Sequence, residues 1–265
     1  MRTRVVEVRG EERLQHEDRL ATEEPLEIRV AWPGGAAQRL AVTMRTPGHD
    51  FELTAGWLVH EQVASPGDLL GIRYCTDVDL RDDEEFNVVT ADLAHEPASL
   101  PAARAVSSAC GVCGTTSIDQ ALRLAPARPS DVVLDLDLVR TLPDLLGEQQ
   151  PGFDRTGGLH AAGLVTVGGE VVVVREDVGR HNAVDKAVGS RILAGVPVPP
   201  VLVLSGRVGF ELVQKAVVSG ISAIVAVGAP TSLAVALAQE ADLGLVGFTR
   251  SQRCVVYAGR ARFGV

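Results

Sequence analysis

The sequence predicts an α/β protein with a smaller, β-rich N-terminal subdomain, and three observations support this prediction. The C-terminal half alternates short apolar runs with amphipathic stretches, a pattern typical of a sheet covered by helices on both faces. The first hundred residues contain short runs with period-two alternation, separated by Gly and Pro turns. Hydrophobic residues make up 46% and charged residues 22% of the 265 residues, as in ordinary folded domains.

The N-terminal subdomain is predicted to span residues 1–104 and to hold one helix. Pro33, Gly34 and Gly35 form the turn between its first two predicted strands. A stretch rich in Pro and Ala at 94–104 is predicted to be a linker. The predicted strands are 26–30, 40–44, 71–74 and 86–91, and the predicted helix is 50–63.

The second domain is predicted to span residues 105–265, beginning with a Cys-x-x-Cys loop at 105–116. Gly168 and Gly169 indicate a hairpin turn between two of its strands. The order of helix, antiparallel hairpin and three helix–strand pairs is that of the cytidine-deaminase-like fold, a three-layer α/β/α architecture. This analogy concerns architecture and not activity. The predicted strands are 162–167, 171–175, 201–204, 223–227 and 243–248, and the helices are 134–148, 180–193, 210–218 and 232–240.

The charge and the apolar segments exclude some classes of function. The net charge is −9, whereas proteins that bind nucleic acid over a broad surface carry a basic surplus. Residues 217–238 lack charge and could span a bilayer, but two Gly, one Pro and four Ser or Thr interrupt them. We interpret this stretch as buried strand plus helix. Without a visible leader segment, the four Cys indicate free thiols, so we expect a cytoplasmic protein with no membrane segment.

A Cys-x-x-Cys pair, Cys110 and Cys113, lies among Gly and Ser residues. Thr116 and Asp119 have the spacing of a helix capping box, so a helix is expected to begin after the pair. Backbone N–H groups at a helix start favour a thiolate, which is the attacking species in sulfur chemistry. An approachable, glycine-rich backbone could carry a sulfur-loaded side chain from donor to acceptor.

Two other interpretations of the Cys-x-x-Cys pair stay open. The pair could be half of a zinc site, but Cys75 and Cys254 are isolated and no second Cys-x-x-Cys exists. His160 or His181 would therefore have to supply ligands. The pair could also be incidental.

Two further segments concentrate glycine, histidine and charge. Gly157 and Gly158 precede His160, which indicates either a backbone pressed against a ligand or a tight turn. Seven of the twelve residues from Arg175 to Lys186 are charged or His, and they lie where a strand leads into a helix. Open α/β sheets bind ligands at such strand ends, although a helix start linked by salt bridges gives the same pattern.

Three more strand ends carry small or basic residues. Ser205, Gly206 and Arg207 form a turn whose free N–H groups and guanidinium suit a phosphate or carboxylate. A similar turn ends at Thr231, and residues 248–253 place two Arg after the last predicted strand. Basic residues repeated at equivalent strand ends of an acidic protein predict an anionic ligand.

The deaminase-like architecture does not predict deaminase chemistry. Zinc deaminases place His-x-Glu at the helix after the hairpin and Pro-Cys-x-x-Cys at the next helix. This chain has His181-Asn182-Ala183 at the first position and no Cys at the second. The proton-shuttling Glu and two ligands are missing, so zinc could not be held there to activate water.

Six segments together resemble the FdhD family of formate dehydrogenase accessory sulfurtransferases. The resemblance extends from about residue 46 to the end, and the twelve-residue run beginning at Arg175 is highly specific. One departure is Gly209, where the family pattern has Ser. The six segments are Cys110-Gly-Val-Cys-Gly, Thr156-Gly-Gly-Leu-His-Ala-Ala, Arg175-Glu-Asp-Val-Gly-Arg-His-Asn-Ala-Val-Asp-Lys, Ser205-Gly-Arg, Ala229-Pro-Thr-Ser-Leu-Ala and Gly247-Phe-Thr-Arg.

The resemblance implies a sulfurtransferase that takes sulfur from a cysteine desulfurase as a persulfide on Cys110, with Cys113 beside it. The implied acceptor is the molybdenum (or tungsten) bis(molybdopterin guanine dinucleotide) cofactor, before its insertion into the formate dehydrogenase catalytic subunit. The resemblance also implies a homodimer, and no tightly held structural metal is expected. The residues expected to contact the cofactor are His160, Arg180, His181, Asn182, Lys186, Ser205, Gly206, Arg207, Thr231, Phe248, Thr249, Arg250, Ser251, Gln252 and Arg253.

Two rival functions stay open on the sequence. One is a chaperone that holds the cofactor or the apo-enzyme without chemistry. The other is a deaminase-like hydrolase with zinc held by Cys110, Cys113 and a His. Both differ from the sulfurtransferase in what they require of Cys110.

Overall fold

The computed structural model describes residues 1–75, 86–98, 100, 104–106 and 132–265. Cys110 and Cys113 lie outside these residues. The described chain forms a two-stranded, a five-stranded and a six-stranded sheet. The strands are β1 (Arg2–Arg9), β2 (Glu12–Arg19), β3 (Glu24–Ala31), β4 (Gln38–Arg45), β5 (Leu69–Tyr74), β6 (Val88–Leu93), β7 (Arg104–Val106), β8 (His160–Val165), β9 (Val171–Asp177), β10 (Val201–Leu204), β11 (Ala223–Ala226), β12 (Gly244–Arg250) and β13 (Arg253–Ala258).

Six α-helices accompany these strands in the described residues. They are α1 (Asp50–His60), α2 (Leu136–Gly147), α3 (Pro151–Thr156), α4 (Arg180–Leu193), α5 (Phe210–Val218) and α6 (Ser232–Glu240). Short 3₁₀ turns occur at Pro66–Asp68 and Arg260–Phe263.

The six-stranded sheet has the order β13-β12-β11-β10-β8-β9 and is covered on both faces. Strands β10, β11 and β12 run parallel, whereas β8, β9 and β13 pair antiparallel to their neighbours. One core joins this sheet to α4, α5 and α6, and a second joins its other face to α2. The predicted α/β class and antiparallel hairpin are therefore confirmed.

The five-stranded sheet, ordered β5-β6-β3-β4-β7, packs against α1. Alternate residues of β3, including Leu26, Ile28 and Val30, are fully buried, which accounts for its period-two pattern. Strand β7 pairs parallel to β4, with Val106 opposite Thr43. The predicted boundary at residue 104 falls at the first residue of β7, and the division into two domains stays a prediction.

Helices α1 and α4 cross with their backbones in direct contact. A Cβ atom added at Gly56 would overlap the carbonyl of Asp185, and one added at Gly189 would overlap the carbonyl of Glu52. Glycine at both positions is therefore required for this close packing. The crossing fixes α1, and the sheet that rests on it, against the helix that follows β9.

Four strands and one helix are absent from the sequence prediction. Residues 1–20 form the β1–β2 hairpin, and β13 follows β12 after a two-residue turn. Strand β7 occupies residues 104–106, where a linker and the start of the Cys-x-x-Cys loop were predicted, and α3 is a short helix of six residues. Helix α1 also ends three residues earlier than predicted, because Gln62 adopts a left-handed backbone with φ of 60°. In the described part of the chain, no helix is long and apolar enough to cross a membrane.

Candidate functional site

The predicted strand-end residues meet at one edge of the six-stranded sheet. Strands β9, β10 and β11 end there, and the antiparallel β8 begins there at His160, which lies opposite Asp177. The turn after β10 is tied to β8, because the Ala161 N–H donates to Ser205 Oγ at 2.8 Å and the Ser205 N–H donates to the Ala161 carbonyl at 3.1 Å. Strand order thus brings the His160 and Ser205 segments together.

The glycines of these turns permit close packing beside His160. A Cβ atom at Gly206 would lie 3.1 Å from His160 Nδ1. Gly228, which follows β11, packs against the backbone of Gly206 and Arg207. A Cβ atom added at Gly228 would lie 2.7 Å from the Gly206 carbonyl oxygen. A side chain at either position would push the Ser-Gly-Arg turn away from its neighbours.

The starts of α5 and α6 lie at the same edge. Gly209 precedes α5 without a side-chain cap, and Thr231 caps α6 by accepting a hydrogen bond from the Ala234 N–H at 3.3 Å. Parallel bonds from Val208 to Ala229 and from Thr231 to Val208 join the two turns. Free N–H groups at two adjacent helix starts favour an anion at this edge.

The segment 248–253 contains the end of β12, the two-residue β12–β13 turn and the start of β13, not a loop after a final strand as predicted. Phe248 has a left-handed backbone (φ of 51°) and an exposed ring, and the Arg253 guanidinium carbon lies 5.5 Å from the centre of that ring. Arg250 donates to the Val227 carbonyl at 2.9 Å. Ser251 and Gln252 are exposed at the tip of the turn. Thr249 is fully buried, and its hydroxyl has no partner among the described residues.

The edge is cationic. Burial, followed by the charges of Arg180 and Arg207, lowers the pKa of His160. Burial, followed by Lys215 and Arg180, lowers the pKa of His181 to about 4. Arg180 Nε and His181 Nε2 are buried without a hydrogen-bond partner in the described part of the chain. Since the half-buried imidazoles stay neutral near pH 7, the positive charge comes from the guanidinium groups. The unpaired nitrogens favour a polar ligand.

We expect His181 to make stability depend on acid pH. Its folded-state pKa lies below the ordinary 6.5, so the unfolded state binds more protons and stability falls as the pH drops from 6.5 towards 4. Because the His181 side chain is only 16% exposed, the loss of folding free energy reaches about 3 kcal/mol. Urea titrations from pH 7 to pH 4.5 should show a flatter dependence in His181→Asn. An identical slope in both proteins would refute this assignment.

Two residues that were expected to contact the ligand are held inside the protein. Lys186 is buried and binds Asp177 Oδ2 at 2.7 Å and the Thr46 carbonyl at 2.8 Å. Asn182 donates to the Met44 carbonyl at 2.8 Å and to Asp177 Oδ1 at 3.1 Å. These contacts join β4 to the start of α4, as expected from the salt-bridged helix start that the sequence left open as an alternative.

Other residues of the charged run also hold elements together. Arg175 forms a two-pronged ion pair with Glu52 of α1, with N–O distances of 2.5 and 2.7 Å. Glu176 accepts from the N–H groups of Gly152 and Phe153 at the start of α3. Of the run from Arg175 to Lys186, Arg180 and His181 are the side chains that leave polar atoms unpaired.

A buried network behind the site escaped the sequence prediction. Asp185 Oδ1 lies 2.5 Å from His60 Nδ1 and 2.6 Å from Lys215 Nζ, and His60 Nε2 lies 2.7 Å from Ser219 Oγ. Glu211 Oε2 lies 3.9 Å from His181 Nε2. The acid at Asp185 falls one turn after His181 on α4, a spacing that could have indicated the network.

The described residues contain no group of three or more His, Cys, Asp or Glu placed to hold a metal ion. Of the four cysteines, Cys75 is buried and Cys254 is half-buried on β13. Cys110 and Cys113 fall outside the described residues, so the site geometry neither includes nor tests them.

The fold and the site define an α/β protein with a cationic, glycine-lined edge on a mixed sheet. The family described as FdhD/NarQ matches residues 21–264, and the chain belongs to this family. The resemblance predicted from the six sequence segments is thereby confirmed.

Relatives match over nearly the whole chain. A protein of Nocardia farcinica named sulfur carrier protein FdhD is 45% identical over 98% of this chain and 94% of its own length. A protein of Streptomyces coelicolor with the same name is 47% identical, over 98% of this chain and 94% of its own length.

A solved structure shares the fold. A proposed formate dehydrogenase accessory protein from Desulfotalea psychrophila superposes with a TM-score of 0.75, covering 99% of this chain and 98% of that one. The two sequences are 22% identical, so the likeness concerns the fold alone.

Proposed function

We propose that the protein is a sulfurtransferase that serves formate dehydrogenase. Cys110 takes sulfur from a cysteine desulfurase as a persulfide and passes it to the molybdenum bis(molybdopterin guanine dinucleotide) cofactor, which is the acceptor substrate. The observation that carries the proposal is membership of the FdhD/NarQ family, whose relatives are named sulfur carrier proteins, in a chain with the pair Cys110 and Cys113.

The loading step is a thiol–persulfide exchange. The thiolate of Cys110 attacks the outer sulfur of the desulfurase persulfide, a new S–S bond forms on Cys110, and the desulfurase cysteine leaves as a thiolate. Sulfur changes carrier without any net oxidation or reduction. Cys113, three residues away, is proposed to assist and not to carry the sulfur.

The placement of β7 is compatible with delivery to the cationic edge. Val106 pairs with Thr43, whose Oγ1 lies 3.4 Å from Asn182 Oδ1 near the start of α4. Cys110 follows Val106 by four residues, and an extended connection of that length reaches at most about 14 Å. Val106, the last described residue before the pair, therefore lies opposite the strand that contacts the helix carrying Arg180 and His181.

The cationic edge is consistent with an anionic acceptor such as the proposed cofactor. Guanosine diphosphate resembles the nucleotide ends of that cofactor and serves as a probe. Arg207 is exposed in the Ser-Gly-Arg turn, whereas Arg191 donates to the Pro197 carbonyl at the far end of α4. We expect Arg207→Ala to weaken guanosine diphosphate binding about tenfold, because one charge-assisted contact is lost. Isothermal titration should show unchanged affinity in Arg191→Ala. Equal affinities in all three proteins would place the nucleotide elsewhere.

Replacing the sulfur-carrying residue should abolish function without unfolding the protein. In a host that lacks its own copy of this chain, Cys110→Ala should leave formate dehydrogenase inactive, and Cys113→Ala should have the milder effect. Formate-dependent dye reduction measures this, and immunoblots control for protein level. Full activity with Cys110→Ala would favour the rival chaperone function, since holding a cofactor needs no thiol.

Metal content distinguishes the sulfurtransferase from the second rival, a zinc-dependent hydrolase. A zinc-dependent hydrolase would purify with about one tightly bound zinc ion per chain, held in part by Cys110 and Cys113. Mass spectrometry of the native protein measures this directly. The sulfurtransferase account expects sub-stoichiometric zinc that a chelator removes without loss of activity.

The setting of the reaction completes the proposal. We propose a cytoplasmic homodimer that meets both the desulfurase and the formate dehydrogenase catalytic subunit. We also propose that the six-stranded sheet and the helices on its two faces are related to the cytidine-deaminase-like fold. The alternation of β10, α5, β11, α6 and β12 supports that relation.

A further inference from the structure

The N-terminal hairpin has one face that collects arginine. Strands β1 and β2 pair antiparallel, with Arg2 directly opposite Arg19, Arg4 opposite Glu17 and Val8 opposite Arg13. Alternate residues of a strand point to the same face, so these four arginines share one face with a single carboxylate. The opposite face holds Glu7, Glu12, Asp18, His16 and Arg9. Charge is therefore segregated between the faces.

This arrangement costs the isolated hairpin stability. Like charges directly opposite each other on paired strands are destabilising, and the Arg2–Arg19 pair is such a case. The ion pair from Arg2 to Glu17 is loose, at 3.6 Å, and both side chains are more than half exposed. For Arg4, Arg13 and Arg19, the described residues supply no carboxylate partner within ion-pair distance. The stability of the fold therefore does not explain why arginines are concentrated on this face. A face of this charge is suited to binding an anionic partner.

The arginine face leads into a cleft at the base of the hairpin. The cleft has a volume of about 410 Å³ and lies between the hairpin, α3 and the end of β4. Leu20, Ala21 and Leu159 provide apolar surface, and Arg2, Arg19 and Arg155 line it. Arg155, on α3, also has no ion-pair partner in the described part of the chain. Among the described residues no carboxylate lines the cleft, although the chain as a whole has a net charge of −9.

The Gly157-Gly158 motif shapes this cleft as well as the neighbouring His160 segment. A Cβ atom at Gly158 would lie 3.3 Å from Ala21 Cβ, so the small residue lets the hairpin base approach α3. Val6 and Val8 are 55% and 62% exposed on the arginine face. Apolar side chains within a basic surface add affinity for a partner that is acidic and partly apolar.

We propose that the arginine face of the hairpin and the cleft at its base bind an acidic segment of a partner protein that also presents apolar side chains. A two-stranded hairpin is marginally stable alone, and a bound segment stabilises it. The concave cleft, with apolar surface between arginines, favours a peptide over a flat lipid surface. The net charge of −9 also opposes broad adhesion to an anionic membrane. This inference does not depend on the sulfur-transfer role.

A short fluorescein-labelled peptide of alternating Glu and Leu tests the proposal by fluorescence anisotropy with the full-length protein. We expect binding that weakens with salt and is at least about tenfold weaker in Arg19→Glu/Arg155→Glu. Arg9→Glu/Arg260→Glu changes the net charge equally but lies outside the surface, so it should bind like the unaltered protein. Arg19→Lys/Arg155→Lys should retain most of the affinity because both charges remain.

Thermal unfolding and circular dichroism establish that each variant is folded. Binding by Arg19→Lys/Arg155→Lys shows that any loss of affinity in the Glu variant comes from charge and not from an unfolded hairpin. The proposal fails if the unaltered protein does not bind the Glu–Leu peptide, or if a Lys–Leu peptide binds equally well. It also fails if reversal of Arg19 and Arg155 leaves affinity unchanged. Binding to phosphatidylglycerol vesicles without peptide binding would assign the surface to a membrane instead.

Discussion

Gly189→Ala is expected to destabilise the protein by at least about 3 kcal/mol, because the added methyl group would overlap the backbone carbonyl of Glu52. Neither group is the flexible end of a side chain, so α1 and α4 must move apart. That movement would disturb the ion pair from Arg175 to Glu52 and the buried contacts around Asp185. The expected effect is therefore larger than for ordinary overpacking of a core.

Urea unfolding followed by circular dichroism measures this effect. Gly147→Ala, at the end of α2, is the matched control because a Cβ atom there meets no atom closer than 4.0 Å. Alanine is a better helix former than glycine, so the control should be neutral or up to about 1 kcal/mol more stable. Equal stability of Gly189→Ala and the unaltered protein would show that the helix crossing is looser than described.

Asp185→Ala is expected to destabilise the protein by about 3 to 5 kcal/mol, because it leaves the Lys215 ammonium buried without its carboxylate. Burial alone would raise the pKa of Asp185, but Lys215 and His60 hold it below the usual value, so the carboxylate is charged at neutral pH. The same substitution removes the partner of His60 Nδ1.

A double variant separates the cost of an unpaired charge from the cost of lost packing. Asp185→Leu/Lys215→Met replaces both charges with apolar side chains, and it should be more stable than Asp185→Ala. Chemical denaturation of both variants at pH 7 makes the comparison. If the double variant is the less stable, packing and not charge dominates the network.

The sequence predicted the elements whose burial pattern is regular. Strands such as β10 and β11 are short, fully buried apolar runs, and β3 alternates between buried and half-buried residues. The β1–β2 hairpin was missed because both of its faces are largely exposed, so no apolar period distinguishes it from a charged tail. Strand β13 was missed because its half-buried residues follow an arginine-rich turn that resembles a loop.

For the site, the residues predicted to contact the ligand stay a prediction, and the structure shows which of them also hold the protein together. Lys186 and Asn182 have the polarity of binding residues, yet both are occupied within the protein by Asp177 and the backbone of β4. A salt-bridged interior and a ligand site require the same residue types, so sequence alone does not separate them. The alternation of strand and helix, in contrast, predicted equivalent strand ends for the Ser205 and Thr231 turns, and the structure brings His160 to the same edge.

The central claim is that Cys110 carries sulfur, and intact mass spectrometry after incubation with a cysteine desulfurase and cysteine tests it most directly. The account predicts a gain of one sulfur atom that a reducing agent removes. The gain should persist in Cys113→Ala and be absent in Cys110→Ala. An unaltered mass in the native sequence, or an undiminished gain in Cys110→Ala, would contradict the claim.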